Sequence, residues 1–237
     1  MDLKIPVDGP DLTINGYLAL PQAEVAGPGP WPGVVVVHDI VGVGDDVRAI
    51  AERFATAGYV TLVPDLYSRG GMMRCVRAVF GQLRAAGGQA FDDIEAARQL
   101  LLGRSDTTDK VGVVGFCMGG GFALVSAARG FDAGAPYYSP LPVRDDEFDG
   151  ACPIVASFGG RDKGLKTAPD KLEKLLTERG IDHDIKVYPE AGHAFANRLP
   201  LGPFGPIVRI ALGMGYHHES SEDAWRRVLT FFATHLR

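Results

Sequence analysis

A cysteine stands where the sequence changes from a strand pattern to a helix pattern. Cys117 lies in "KVGVVGFCMGGGFALV", with Gly115 two residues before it and Gly119 two residues after it. This spacing matches G-x-S-x-G, the turn that presents a nucleophile at the end of a strand, with sulfur in place of oxygen. The glycines let strand and helix approach closely, and the helix amides stabilise a thiolate. Taken alone, the stretch also fits a phosphate-binding turn or a merely buried thiol.

An aspartate and a histidine later in the sequence complete a candidate site for nucleophilic catalysis. Asp162 follows the strand pattern "PIVASFGG", and His193 lies in "VYPEAGHAF", beyond the last predicted strand. The order nucleophile, acid, base, each in a loop after a strand, is that of α/β-hydrolases. His193 would take the thiol proton and later activate water, while Asp162 orients the imidazole. Singly, Asp162 is also explained as a turn residue and His193 as a loop histidine without a role.

Such a site also needs backbone N–H groups that stabilise an oxyanion. One belongs to the residue after the nucleophile, here Met118, and the other comes from the loop after the third strand. That loop reads "HDIVGVGDD", so we predict that Ile40 supplies the second donor.

Strand and helix patterns alternate along most of the chain. Continuous apolar runs such as "GVVVV" (Gly33–Val37) are typical of strands covered on both faces. Helical stretches between such runs predict parallel βαβ units, and "LTINGYLAL" (Leu12–Leu20) predicts an N-terminal antiparallel strand. Between Met72 and Leu102 we expect helix with a break at Gly87–Gly88. The predicted fold is an α/β-hydrolase with a mostly parallel central sheet and helices on both faces, residues 1–237 forming a single domain.

Composition narrows the possible partners. The net charge of −5 argues against a nucleic-acid partner, which usually meets a basic surface. The N-terminal residues show no secretory signal pattern, and the apolar runs are shorter than the roughly 20 residues of a membrane span. Three scattered cysteines form neither a disulfide framework nor a metal-ligand pattern. We therefore expect a cytoplasmic protein that binds neither nucleic acid nor membrane and holds no metal.

Motifs spread over nearly the whole chain resemble those of the dienelactone hydrolase family. They are "VVVVHDIVG", "GYVTLVPDLYSRGG", "DDIEAARQLL", "KVGVVGFCMGGGFAL", "YY" at Tyr137–Tyr138, "GGRD" and "PEAGHAF". The resemblance implies hydrolysis of an enol-lactone such as carboxymethylenebutenolide to an open-chain keto acid. It also implies a thioester acyl-enzyme on the cysteine and no cofactor.

Residue by residue, the resemblance assigns the triad to Cys117, Asp162 and His193 and the oxyanion donors to Ile40 and Met118. Where the family usually has a glutamate that activates the thiol, this chain has Asp39, one methylene shorter. Candidate substrate-binding residues are Arg69, Arg198 and Tyr137, the arginines because a lactone carboxylate suits a guanidinium. Asn197 stands where the family pattern has an arginine after "GHAF".

The chain departs from the family pattern after His193. The segment Arg198–Ser220 is an insertion rich in apolar residues, for which a flap over the pocket, a dimer contact and simple packing are open alternatives. A monomer and a homodimer are both compatible with the sequence. The predicted function is hydrolysis of a small lactone or activated ester. A broader carboxylesterase or thioesterase and a ligand-binding protein without turnover are the alternatives.

Overall fold

The computed structural model of the protein describes residues 1–8, 12–199 and 214–237. Its strands are β1 (Asp2–Pro6), β2 (Thr13–Ala19), β3 (Trp31–Val37), β4 (Val60–Pro64), β5 (Thr107–Phe116), β6 (Ala133–Tyr137), β7 (Ile154–Gly159) and β8 (His183–Tyr188). Its helices are α1 (Ala23–Ala26), α2 (Asp45–Thr56), α3 (Met72–Ala85), α4 (Gln89–Leu102), α5 (Met118–Ser126), α6 (Ala168–Glu178) and α7 (His218–Leu236), with a 3₁₀ turn at Asp145–Phe148.

The strands form one sheet in the order β1-β2-β4-β3-β5-β6-β7-β8. β2 pairs antiparallel with β1 and with β4, and the neighbouring pairs from β4 through β8 are parallel. This arrangement confirms the predicted α/β-hydrolase fold. Parallel pairing places the carboxyl ends of β3, β5, β7 and β8 at one edge, and the loops that follow these strands carry the predicted site residues.

The sheet is buried between two layers of helices. Along β3, Val34 and Val36 belong to the core that α2 and α7 cover, whereas Val35 and Val37 belong to the core that α3, α4 and α5 cover. Because successive side chains of a strand point to opposite faces, a strand buried on both faces needs an unbroken apolar run. The "GVVVV" run therefore reflects the two-sided burial that the structure has.

Two helix boundaries have a local explanation. The helices between Met72 and Leu102 break at Gly87–Gly88 as expected, where Gly88 has a φ of 105°. α7 begins at His218, because the side chain of His217 accepts a hydrogen bond from the Ser220 amide. Of the predicted Arg198–Ser220 insertion, residues 200–213 lie outside the described part of the chain.

Across residues 1–8, 12–199 and 214–237, no helix has both the length and the apolar character needed to span a bilayer. Within the same ranges, no group of three or more His, Cys, Asp or Glu side chains is arranged to hold a metal ion.

The junction of β5 and α5 has no room for side chains. A Cβ atom at Gly115 would overlap the carbonyl oxygen of Gly119, and one at Gly119 would overlap the carbonyl oxygens of Val37 and His38. The first contact lies within the turn itself, and the second joins the turn to the end of β3. The close approach at Gly119 thus brings the loop after β3 against the start of α5.

A methyl group tests this close approach. We expect Gly119→Ala to prevent folding or to lower the free energy of unfolding by more than about 3 kcal/mol, because backbone atoms must move to admit it. The matched control is Gly81→Ala in α3, where an added Cβ has no atom within 4 Å. This control should gain up to about 1 kcal/mol through helix propensity. Urea unfolding of both variants measures the difference, and equal stability of the two would contradict the steric explanation.

Candidate active site

Cys117 occupies a strained backbone conformation at the tip of the turn. Its φ is 54° and its ψ is −116°, a backbone conformation that residues other than glycine rarely adopt. The Cys117 amide donates to the Tyr137 carbonyl at 3.1 Å, and the amides of Gly120 and Gly121 donate to its carbonyl. α5 begins at the next residue, so the positive end of its dipole lies at the half-buried thiol. The strain presents the sulfur at the carboxyl edge of the sheet.

His193 and Asp162 are hydrogen-bonded to each other across this edge. The Nδ1 atom of His193 lies 2.6 Å from Oδ2 of Asp162, and Oδ1 of Asp162 accepts from the Gly164 amide at 3.0 Å. Because the carboxylate can only accept, Nδ1 carries the proton and Nε2 remains for a second partner. Both carboxylate oxygens are therefore engaged, which orients the imidazole.

The protonation of His193 depends on its two partners. Burial disfavours the imidazolium, but the hydrogen bond with Asp162 and the nearby sulfur of Cys117 outweigh it and raise the His193 pKa to about 10. The side chain is 22% exposed, so water reaches it only in part. Asp162 is thus hydrogen-bonded to His193, and Cys117 lies close enough to raise the His193 pKa.

Ile40 and Met118, the predicted oxyanion donors, both lie near the Tyr67 hydroxyl. Met118 is the first residue of α5, and Ile40 lies in the loop after β3. Among the residues that the structure describes, no protein group accepts a hydrogen bond from either amide. The Tyr67 hydroxyl donates to the Ile40 carbonyl at 3.2 Å and lies 3.9 Å from the Met118 sulfur, so it holds both predicted donors. Two free amides beside a nucleophile suit an oxyanion.

The loop after β3 is held by buried polar contacts. Asp39 is 4% exposed, its Oδ1 accepts from the Val41 amide at 2.8 Å, and burial raises its pKa. The adjacent His38 is fully buried, with Nδ1 at 2.6 Å from the Asp39 carbonyl and Nε2 accepting from the Leu66 amide at 3.2 Å. Burial lowers the His38 pKa, so this histidine is a neutral link between two loops.

The three predicted substrate-binding residues differ in their surroundings. Arg69 makes two hydrogen bonds to Asp93, a carboxylate that is only 2% exposed. Arg198 is exposed; its guanidinium lies 3.8 Å from the centre of the Tyr216 ring, and it lines a cleft of about 230 Å³ together with Asp39. Of the three, only Arg198 lines the same cleft as Asp39.

Tyr137 lies in the core. It is 3% exposed, and its ring stacks on Phe116 with the centroids 4.9 Å apart, as expected of a buried strand tyrosine. The next residue, Tyr138, instead packs its ring 5.2 Å from the His193 ring. The sequence pattern favours Tyr137 over Tyr138, because neither the φ of 35° at Tyr138 nor its hydroxyl partner Asn197, 59 residues further along the chain, leaves a local signal.

The sheet order and the nucleophile turn define an α/β-hydrolase. Comparison with known proteins narrows this class, since the model of the "Dienelactone hydrolase family" matches residues 14–236. The chain belongs to the dienelactone hydrolase family.

Similar proteins support this assignment. A Methylorubrum extorquens protein provisionally named carboxymethylenebutenolidase is 31% identical over 98% of this chain and 79% of its own length. A Yersinia pestis protein with the same provisional name is 30% identical over 99% of this chain and 88% of its own. A crystal structure from Klebsiella pneumoniae, provisionally described as a dienelactone hydrolase, has a TM-score of 0.78 and 25% identity over 99% of both chains.

The Arg69–Asp93 pair generates a test of what Arg69 does. Arg69→Ala leaves a buried carboxylate without its partner, so we expect the free energy of unfolding to fall by about 2 kcal/mol or more. Arg74→Ala is the control, because Arg74 is exposed and lines the same cavity as Arg69 and Asp93. Its effect should stay within about 0.5 kcal/mol. Urea unfolding measures both values. A raised KM with unchanged stability in Arg69→Ala would instead identify a substrate-binding arginine.

The raised His193 pKa generates a prediction about pH. Because the folded state favours the charged form of His193, this charge contributes fully to stability below the ordinary histidine pKa of about 6.5. The contribution is lost as the pH rises toward about 10. The excess stability of the wild type over His193→Gln should therefore shrink between these values. Denaturant unfolding at several pH values measures it, with Asp162→Asn as a background in which the dependence weakens. A difference independent of pH would contradict the assigned environment.

Proposed function

We propose that the protein hydrolyses lactones or activated carboxylic esters through a thioester on Cys117. The observation that supports this proposal best is the 2.6 Å contact between His193 and Asp162. The sulfur of Cys117 also raises the His193 pKa, as expected of a thiol near the imidazole. A nucleophile, a base within reach of it and a group that orients the base make up the arrangement of covalent acyl-transfer catalysis.

Acylation follows from this arrangement. His193 holds the thiol proton while the sulfur of Cys117 attacks the carbonyl carbon, and the carbonyl π electrons move to its oxygen. The amides of Ile40 and Met118 bind that oxyanion; removing one such donor typically costs about 10²–10³ in rate. When the carbonyl reforms, the bond to the leaving oxygen breaks, and His193 gives its proton to that oxygen. A lactone thereby opens while it stays bound as a thioester.

In deacylation water replaces the thiol as the nucleophile, and the same protein groups act again. His193 removes a proton from water, the resulting hydroxide attacks the thioester carbon, and the same two amides stabilise the second oxyanion. The carbon–sulfur bond then breaks, the thiol regains its proton from His193, and a carboxylic acid is released. A thiolate leaves more readily than an alkoxide, so the first step favours substrates with stable leaving groups such as enolates. No cofactor enters either step.

Charged residues at the mouth of the site select the substrate. Arg198 lines the cleft beside Asp39 and binds the carboxylate of an acidic lactone. Asp39, in place of the family's glutamate, is a second acceptor for the thiol proton when substrate arrives, which its raised pKa favours. Arg69 contributes to binding through the position that it gives its loop, and Tyr137 through the apolar wall beneath Tyr138. These roles extend the resemblance of the chain to its family.

Intact-mass spectrometry tests the proposal. A panel of enol-lactones, saturated lactones, aryl esters and acyl thioesters is mixed with the protein and quenched in acid. We expect an acyl adduct on Cys117 and steady-state turnover with at least one lactone or aryl ester, both lost in Cys117→Ala. Cys152→Ala is the control, because burial raises the pKa of this thiol to about 12 and makes it a poor nucleophile.

The pattern across the panel separates the alternatives. Turnover confined to thioesters and aryl esters would identify a broader esterase. Binding without any adduct, unchanged by Cys117→Ala, would identify a ligand-binding protein and would rule out the thioester mechanism.

A further inference from the structure

A chain of hydrogen bonds beside His193 joins two loops to the start of α2. The Tyr138 hydroxyl donates to Oδ1 of Asn197, and Nδ2 of Asn197 donates to Oδ2 of Asp46 at 2.6 Å. The other carboxylate oxygen of Asp46 accepts from the Arg198 amide at 3.0 Å. Tyr138 and Asn197 are both fully buried. The chain thus runs from the loop after β6, through the loop after β8, to the first turn of α2.

Only one orientation of the Asn197 amide satisfies this chain. The Asp46 carboxylate accepts hydrogen bonds and cannot donate, so the NH₂ group must face it and the carbonyl oxygen must face Tyr138. Burial raises the Tyr138 pKa far above its usual value, so the hydroxyl keeps its proton and donates. Each polar atom in the chain therefore has a partner of the correct kind, which specifies one geometry.

Two residues next to His193 have a strained backbone. Tyr138 has a φ of 35°, and Ala194, the residue after His193, has a φ of 58°. Residues other than glycine adopt such values at a cost of about 1–3 kcal/mol, and they persist only where the surroundings impose them. The strain at Tyr138 presents its ring to the imidazole at 5.2 Å. Asn197 bonds to the hydroxyl of that ring and, through Asp46, to α2.

We propose that Asn197 is a positioning residue that sets where the His193 imidazole stands relative to Cys117. It holds Tyr138 behind the imidazole and holds the loop of residues 193–198 against α2, without contacting the substrate. The inference rests on the proposed function for its consequence in turnover, but its geometry concerns the protein alone. A misplacement of about 1 Å at reacting groups costs on the order of 10² in rate, so loss of this chain lowers kcat.

Exchanging donor and acceptor tests the pairing. Asn197→Asp keeps an acceptor for Tyr138 but sets a second carboxylate against Asp46, so we expect kcat to fall at least about 10-fold with KM changed less than about twofold. Adding Asp46→Asn restores a donor toward position 197 and an acceptor for the Arg198 amide, at unchanged net charge. The double variant should recover kcat to within about threefold of the wild type. Recovery of thermal stability without recovery of kcat would overturn the proposal.

A milder pair of variants covers the case in which Asn197→Asp does not fold. Tyr138→Phe removes one hydroxyl of the chain and should lower kcat. Tyr188→Phe is the matched control. The rings of Tyr138 and Tyr188 both pack on Phe195, at 5.3 Å and 5.2 Å, but the Tyr188 hydroxyl bonds to Asp223 in α7. We expect Tyr188→Phe to keep the wild-type kcat, and equal losses in the two variants would refute the positioning role.

Alkylation of Cys117 separates this inference from the proposed function. The rate of reaction with iodoacetamide as a function of pH reports how His193 and the thiol are placed, whether or not any ester is hydrolysed. We expect Asn197→Asp and Tyr138→Phe to shift this profile toward that of His193→Gln. If the wild type turns over no ester but the shift is seen, the hydrolase proposal fails and the positioning role stands. Unshifted profiles in both variants would refute the positioning role.

Discussion

The site depends on the close approach of α5 to the ends of β3 and β5. At Gly119 even a methyl group would overlap the carbonyl oxygens of Val37 and His38, so this contact sets the spacing between two neighbouring parallel strands and the helix. The same junction forces Cys117 to a positive φ and places the loop containing Ile40 beside the amino end of α5. One steric constraint therefore positions the candidate nucleophile and both candidate oxyanion donors, because all three are close to it along the chain.

His193 connects this rigid turn with the electrostatics of the site. Burial alone would keep the imidazole neutral, and its raised pKa exists because Asp162 and the sulfur of Cys117 outweigh burial. Both contributions fall off with distance. A small movement of the imidazole away from either partner therefore changes its charge as well as its geometry. The position of His193 thus determines its protonation.

Buried polar side chains supply the necessary rigidity. His38 joins the loop after β3 to Leu66, Tyr67 bonds to Ile40, and Asn197 bonds to Tyr138 and Asp46. A buried polar group that loses its partner costs about 1–3 kcal/mol, so each such contact discourages other loop arrangements. These contacts limit the movement of the loops that carry Ile40 and His193.

The sequence alone determined the fold class and the candidate triad, because both depend on local patterns: apolar runs alternating with helices, glycines around Cys117, and the order of Asp162 and His193 after strands. Only the tertiary structure decided the roles of residues whose partners are distant along the chain. Arg69 meets a buried aspartate 24 residues away, and Asn197 meets Asp46 151 residues away. Such pairings leave no periodic signal, since they arise when the sheet brings separate loops to one edge.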